Sequence, residues 1–84
     1  MIKLFPDGSK SYYNLNGKLH RENGPAIIYS DGSKAYFING NRHRVTGPAI
    51  EYSDGNFEYW YKGKYISTLS QKEFERYIKL LAFI

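Results

Sequence analysis

The stretch Asn39-Gly40-Asn41-Arg42-His43-Arg44-Val45-Thr46-Gly47-Pro48-Ala49-Ile50 has a near copy 23 residues earlier, from Asn16-Gly17-Lys18-Leu19-His20-Arg21 to Gly24-Pro25-Ala26-Ile27. A tandem repeat confines a chain to architectures built from one small unit used more than once. Three Asp-Gly pairs (Asp7-Gly8, Asp31-Gly32, Asp54-Gly55) interleave with three further Gly sites (Asn16-Gly17, Asn39-Gly40, Lys62-Gly63). Asp-Gly between aromatic or β-branched runs is a strong hairpin signal, because glycine reaches positive φ without steric cost. Between the two sets lie short runs rich in Tyr, Phe and Ile: Ile2–Phe5, Ser11–Leu15, Ala26–Ser30, Lys34–Asn39, Ala49–Ser53 and Asn56–Lys62. Runs of this kind separated by turn signals predict an antiparallel meander of about six strands in a single layer.

Each unit reads as strand, Asp-Gly turn, strand, then a loop carrying His-Arg and Gly-Pro. The loops Gly17–Pro25 and Gly40–Pro48 have equal length. Pro25 and Pro48 each remove a backbone donor at the start of a strand, where the loss is tolerated. The first unit has one more residue between Asp7 and Gly17 than separates Asp31 from Gly40, which predicts a bulge near Tyr13-Asn14. Alternation along strands assigns faces. Ile27/Ile50 and Tyr29/Tyr52 keep their character between copies, as do Tyr36/Tyr59 and Ile38/Tyr61. Together they are the expected core. Ile28/Glu51 and Ala35/Glu58 vary, and Phe37/Trp60 fall on that second, more polar face.

The repeat breaks after Lys64-Tyr65-Ile66. Ser70 followed three residues later by Glu73 forms a capping box, and Leu69 and Phe74 have the spacing of a hydrophobic staple. A helix is expected from about Gln71 to Phe83. Phe74, Tyr77, Ile78 and Leu81 would form one apolar stripe, widened by Leu80 and Phe83, to cover the sheet and end the array. The fold class is thus α+β, mostly β, with a hairpin-repeat sheet over residues 1–66 and a capping helix over residues 67–84, all within one domain of 84 residues.

Composition narrows the function classes. With no cysteine, no disulfide supports the fold, which suits a reducing cytosol. The apolar run Ile78–Ile84 is far below the ~20 residues of a membrane span, and the opening segment is too short for a signal peptide. The chain therefore reads as soluble and cytoplasmic, with no membrane partner. A net charge of +4 permits an acidic partner without demanding one.

The pattern Asn-Gly-x-x-His-Arg-x-x-Gly-Pro-Ala, followed by a strand, an Asp-Gly turn and an aromatic strand, resembles a hairpin repeat of tailed phages and giant DNA viruses. It is distantly similar to MORN-type repeats. The resemblance spans roughly residues 9 to 66 and extends to Gly63-Lys64-Tyr65 and Ser70–Phe74, which resemble the close of such arrays. The Tyr-x-Gly spacing of true MORN repeats is not reproduced, so lipid binding is not implied. What the resemblance implies is an interaction surface without chemistry of its own. Small phage proteins of this size are often inhibitors of host machinery, including defence complexes of the kind that anti-CRISPR proteins target.

Two patches are candidate binding sites. Lys18, His20, Arg21, Arg42, His43, Arg44, Lys62 and Lys64 fall at equivalent ends of successive units, and equivalent loops two strands apart lie ~10 Å from each other. Such a basic stripe suits phosphate or an acidic protein surface. Recurrence in each copy favours a loop-building role for His20, Arg21, His43 and Arg44, and leaves Arg42, Lys62 and Lys64 for a partner. The second patch is the face of Phe37 and Trp60 with the varying Glu51 and Glu58, where aromatics would anchor a protein or fill a minor core. The tail Leu80–Ile84 packs on the sheet or docks elsewhere. Two histidines without cysteine do not make a structural zinc site, and no nucleophile accompanies His20 and Glu22, so neither a metal, a cofactor nor a catalytic residue is expected. The leading expectation is a non-enzymatic phage module that engages, and inhibits, a host protein or protein–nucleic-acid complex. The second is direct nucleic-acid binding through the basic stripe. The third is self-association, as in a homodimer, through open sheet edges.

Overall fold

The computed structural model describes residues 1–68 and 70–81. The strands are short: β1 (Ile2–Leu4), β2 (Lys10–Tyr12), β3 (Ile27–Ile28), β4 (Lys34–Ala35), β5 (Phe37–Ile38), β6 (Asn41–Arg42), β7 (Ile50–Glu51), β8 (Phe57–Tyr61) and β9 (Lys64–Ile66). A single helix, α1 (Gln71–Leu81), follows. Seven strands form one antiparallel meander in the order β1-β2-β3-β4-β7-β8-β9, and β5 pairs with β6 as a small second sheet. The extents of 42 × 32 × 17 Å are those of one sheet layer with a helix against part of it. The expected mostly-β meander with a C-terminal helix is the observed fold. The strands beyond the six expected include β6 and β9, the short returns after Asn39-Gly40 and Lys62-Gly63.

Two kinds of turn alternate, and their loop lengths set the register. Asn39-Gly40 and Lys62-Gly63 are two-residue loops with positive φ at both positions: 50° and 85° in the first, 51° and 85° in the second. These are the values of the primed turn that matches strand twist. Ile38 therefore faces Asn41, and Tyr61 faces Lys64. The Asp-Gly turns are one residue longer. In the second, the Tyr29 N–H donates to the Ser33 C=O (2.9 Å) and the Gly32 N–H to the Tyr29 C=O (3.0 Å), with Gly32 at φ 92°. The Asp31 carboxylate accepts the Ser33 N–H at 2.8 Å and locks the loop.

That extra residue corrects the expected face assignment. A three-residue loop pairs Ile27 with Ala35, and Ala35 in turn faces Ile50. Ile27 and Ile50 thus share a face with Ala35 and Phe37, while Tyr36 and Tyr59 lie on the opposite one. The core is correspondingly split. Ala26, Ala35, Phe37 and Ile50 form one cluster, flanked by Leu19, Ile27 and Trp60. Tyr59, Ile66 and Phe74 form the other, flanked by Tyr61, Tyr77 and Ile78. Tyr29 and Tyr52, expected in the core, are 44% and 42% exposed.

The extra residue of the first unit is also placed differently from expectation. It is Leu15, wholly exposed, in a three-residue loop closed by the Asn14 N–H on the Lys18 C=O (2.9 Å). The turn absorbs the insertion, and Tyr13 still bridges Leu19 across it.

The helix begins where expected. The Ser70 hydroxyl accepts the Glu73 N–H (3.2 Å), and the Glu73 carboxylate accepts the Thr68 hydroxyl (3.3 Å) instead of closing the box on Ser70. Phe74 is fully buried, its ring 4.7 Å from that of Tyr59. Burial of such a side chain contributes about 1.5–3 kcal/mol. Leu69 of the expected staple, and residues 82–84 of the expected helix end and tail, lie outside the described residues. Leu80 is 61% exposed, so that part of the tail does not pack on the sheet. Among the described residues no helix is long and apolar enough to cross a membrane.

Candidate functional site

The recurring loop residues turn inward. The Arg21 guanidinium lies 4.0 Å above the Tyr12 ring and donates to the Pro25 C=O at 3.2 Å. Arg44 repeats the arrangement with Tyr36 (3.9 Å) and the Pro48 C=O (3.1 Å), and adds Glu51 at 3.5 Å. Each His ties its unit to the next. His20 Nδ1 accepts the Asn39 N–H (3.0 Å), and His43 Nδ1 accepts the Lys62 N–H (2.9 Å). The donors are the first, positive-φ residues of the following turns, whose N–H groups point away from their own hairpins. An accepting Nδ1 requires the neutral ring with its proton on Nε2. Burial first, and the Lys62 charge second, hold His43 below the usual histidine range. His20 Nε2 stands 3.6 Å from Glu22.

This geometry thins the expected basic stripe. His20, Arg21, His43 and Arg44 are engaged within the fold, whereas Lys18, Arg42, Lys62 and Lys64 are exposed. Lys62 leans over Tyr61 (5.3 Å), and the Lys18 stem lies along Gly40.

The second patch holds together only in part. Phe37 is 8% exposed and belongs to the core, not to a displayed face. The register that pairs Ala35 with Ile27 turns it toward that cluster. Trp60 is half-buried on the same face, and its Nε1–H donates to Glu58 (2.9 Å). The other Glu58 oxygen accepts the Tyr52 hydroxyl (2.9 Å). That hydrogen bond, and then burial, push the Tyr52 hydroxyl above its usual value. The Arg42 guanidinium stacks 4.9 Å from the Trp60 ring and 5.6 Å from the Phe37 ring. Tyr65, 54% exposed, meets Trp60 edge-on at 5.5 Å. Glu51 is paired with Phe57 and not with this cluster. Its carboxylate turns to Arg44 on the face that carries the helix.

Arg42, Glu58 and Trp60 are therefore brought together, Phe37 is their floor, and Glu51, Lys62 and Lys64 lie apart. Tyr52 and Tyr65 belong to the cluster and were missed. Their signal was register: Tyr65 stands opposite Trp60, and Tyr52 stands two residues from Ile50, which stands opposite Glu58. The cluster is aromatic and bipolar, with one cation and one carboxylate fixed by rings and hydrogen bonds. Such a surface presents contact area at low entropic cost. Among the described residues no group of three or more His, Cys, Asp or Glu side chains is placed to hold a metal ion. No known protein family, no curated protein and no solved structure matches the chain.

Proposed function

We propose that this chain is a non-enzymatic, phage-encoded protein-binding module that acts in the cytoplasm of the host and engages, and inhibits, a host protein such as a defence complex. The observation that carries the binding role is the Arg42–Glu58–Trp60 cluster with Tyr52 and Tyr65, displayed on the sheet face that carries no helix. Trp, Tyr and Arg dominate the energetics of protein interfaces, and here hydrogen bonds and stacking already order them. The host and its defence machinery follow from the resemblance of the repeat to viral hairpin arrays. The test is capture from host lysate by the immobilised protein, beside Trp60→Ala and Arg42→Glu. A host protein held by the wild type and released by both variants is expected. Equal capture by all three would reject the surface, and no capture would reject the module.

Exposed Lys18, Arg42, Lys62 and Lys64 support direct nucleic-acid binding as a second reading. Such binding weakens steeply with salt, because phosphate contacts release counterions. An affinity for DNA or RNA that is absent at low salt, or flat against ionic strength, ends it.

A further inference from the structure

At the turn end of the sheet a second set of residues recurs with its rings partly exposed. Phe5, Tyr29 and Tyr52 each stand two residues before an Asp-Gly pair. They are 37%, 44% and 42% exposed. Between successive rings lie two open slots. The first is bounded by Phe5 and Tyr29, over Ser11 and Ile27, with Asp7 and Ser9 at its rim. The second is bounded by Tyr29 and Tyr52, over Ala35, Phe37 and Ile50, with Asp31 and Ser33 at its rim and Arg42 also lining it. Their volumes, about 300 and 270 Å³, are nearly equal, as copies of one slot should be. The floors are open because Ser11 and Ala35 are small and buried, at 5% and 2% exposure. In the third unit the equivalent position is Glu58, which accepts the Tyr52 hydroxyl and the Trp60 N–H.

The slots are held at fixed spacing. The Ser30 N–H donates to the Ser9 hydroxyl (3.1 Å), and the Ser53 N–H to the Ser33 hydroxyl (2.9 Å), so each turn is bolted to the next. Equivalent positions two strands apart are separated by ~9.6 Å. This spacing discriminates among extended ligands. A polyproline II helix presents one residue per turn to a surface, every ~9.3 Å. A β-strand presents one about every 6.7 Å. An α-helix presents one about every 5.4 Å, so alternate side chains would strike the Tyr29 wall. A nucleic-acid strand would carry its phosphates along Asp7 and Asp31, which repel them and offset the attraction of Lys3 beside Phe5 and Arg42 in the second slot. Both carboxylates accept backbone N–H bonds and are held below their usual range, so they stay charged.

We propose that the two slots between Phe5, Tyr29 and Tyr52 dock a proline-rich partner segment in the polyproline II conformation, one proline to each slot, with a basic side chain of that segment against the Asp7 and Asp31 rim. The assignment rests on the reading of the chain as a protein-binding module and names a class of partner for it. Aromatic walls with a preformed spacing are the general chemistry of proline-rich recognition, because the ligand loses little entropy on binding.

Fluorescence anisotropy of the full chain with a labelled peptide of about 12 residues, proline at every third position and arginine at one end, tests the proposal. A peptide of identical composition with proline at every fourth position is the control. The first peptide should bind at least about tenfold tighter than the control, and Tyr29→Ala, which removes the shared wall, should cost at least about tenfold. Tyr29→Phe should retain binding, and Phe5→Ala, which opens one slot only, should lose less. If Tyr29→Ala does not fold, the peptide comparison and Phe5→Ala still decide. Equal affinity for both peptides, no binding at about 1 mM peptide, or an oligo-dT probe that binds and is lost in Tyr29→Ala would each overturn the proposal. If a host protein is captured equally by the wild type and Tyr29→Ala, the slots are rejected while the module stands. If nothing is captured and neither peptide binds, both fall.

Discussion

At the loop end of the sheet, His20, Arg21, His43 and Arg44 recur and are drawn into the fold by stacking and backbone hydrogen bonds. At the turn end, the aromatic residues Phe5, Tyr29 and Tyr52 recur at equivalent places and remain partly exposed to solvent. Recurrence within an array therefore has two physical origins. A loop that must close identically in every unit needs the same hydrogen bonds each time. A displayed row, on the docking proposed above, needs the same shape each time because its partner has a period of its own. Exposure separates the two, and identity between copies does not.

The largest test of that contrast is Arg44→Ala. It removes the stack on Tyr36, the bond to the Pro48 carbonyl and the Glu51 pairing, at an expected cost of about 2–3 kcal/mol in urea unfolding. A companion change tests the cause. A Cβ at Gly47 would meet the Arg44 guanidinium at 2.9 Å, so Gly47→Ala should destabilise the wild type and be largely relieved on the Arg44→Ala background, a coupling of ~1 kcal/mol. Additive costs would mean that Arg44 does not hold the loop.

Acid should act next, and at the loop end. His43 is depressed in the folded state by burial first and the Lys62 charge second, which keeps neutral the ring that accepts the Lys62 N–H. Unfolding then takes up a proton. The His43 contribution is complete above the unfolded value of about 6.5 and is lost as pH falls through the lower folded value. Urea midpoints should decline from about pH 7 toward pH 5, and His43→Ala should flatten that decline. An unchanged slope in the variant would assign the acid sensitivity elsewhere. The smallest effect belongs to the turn end. Tyr29→Ala should alter stability by no more than about 0.5 kcal/mol, as an exposed side chain does. A cost equal to that of Arg44→Ala would collapse the distinction between the two ends.

Much of the fold was legible in order of locality. The repeat, the Asp-Gly hairpins and the Ser70 cap are written in contiguous residues, and each is where the pattern placed it, whereas the return strand after Asn39-Gly40 lies in a stretch that reads as loop. Sheet parity was not. Asp-Gly fits loops of two or three residues, and one extra residue moves a whole strand to the other face. For that reason Phe37 left the displayed set and Tyr29 and Tyr52 left the core. The same parity separated Glu51 from Glu58, though both vary between copies. Arg42, Glu58 and Trp60 were legible as candidates by their variation, but Tyr52 and Tyr65 were not, because their place beside Trp60 depends on pairing across strands.

The bond from each imidazole to the following turn also bears on how such a chain can grow. The middle unit offers an acceptor forward and receives one from behind, so a duplicated segment such as residues 24–46 would find both partners waiting. One tandem duplication would lengthen the row of aromatic slots by one and leave the final helix in its place. Valency in this architecture is thus a matter of copy number, open to stepwise change without the redesign of any single contact.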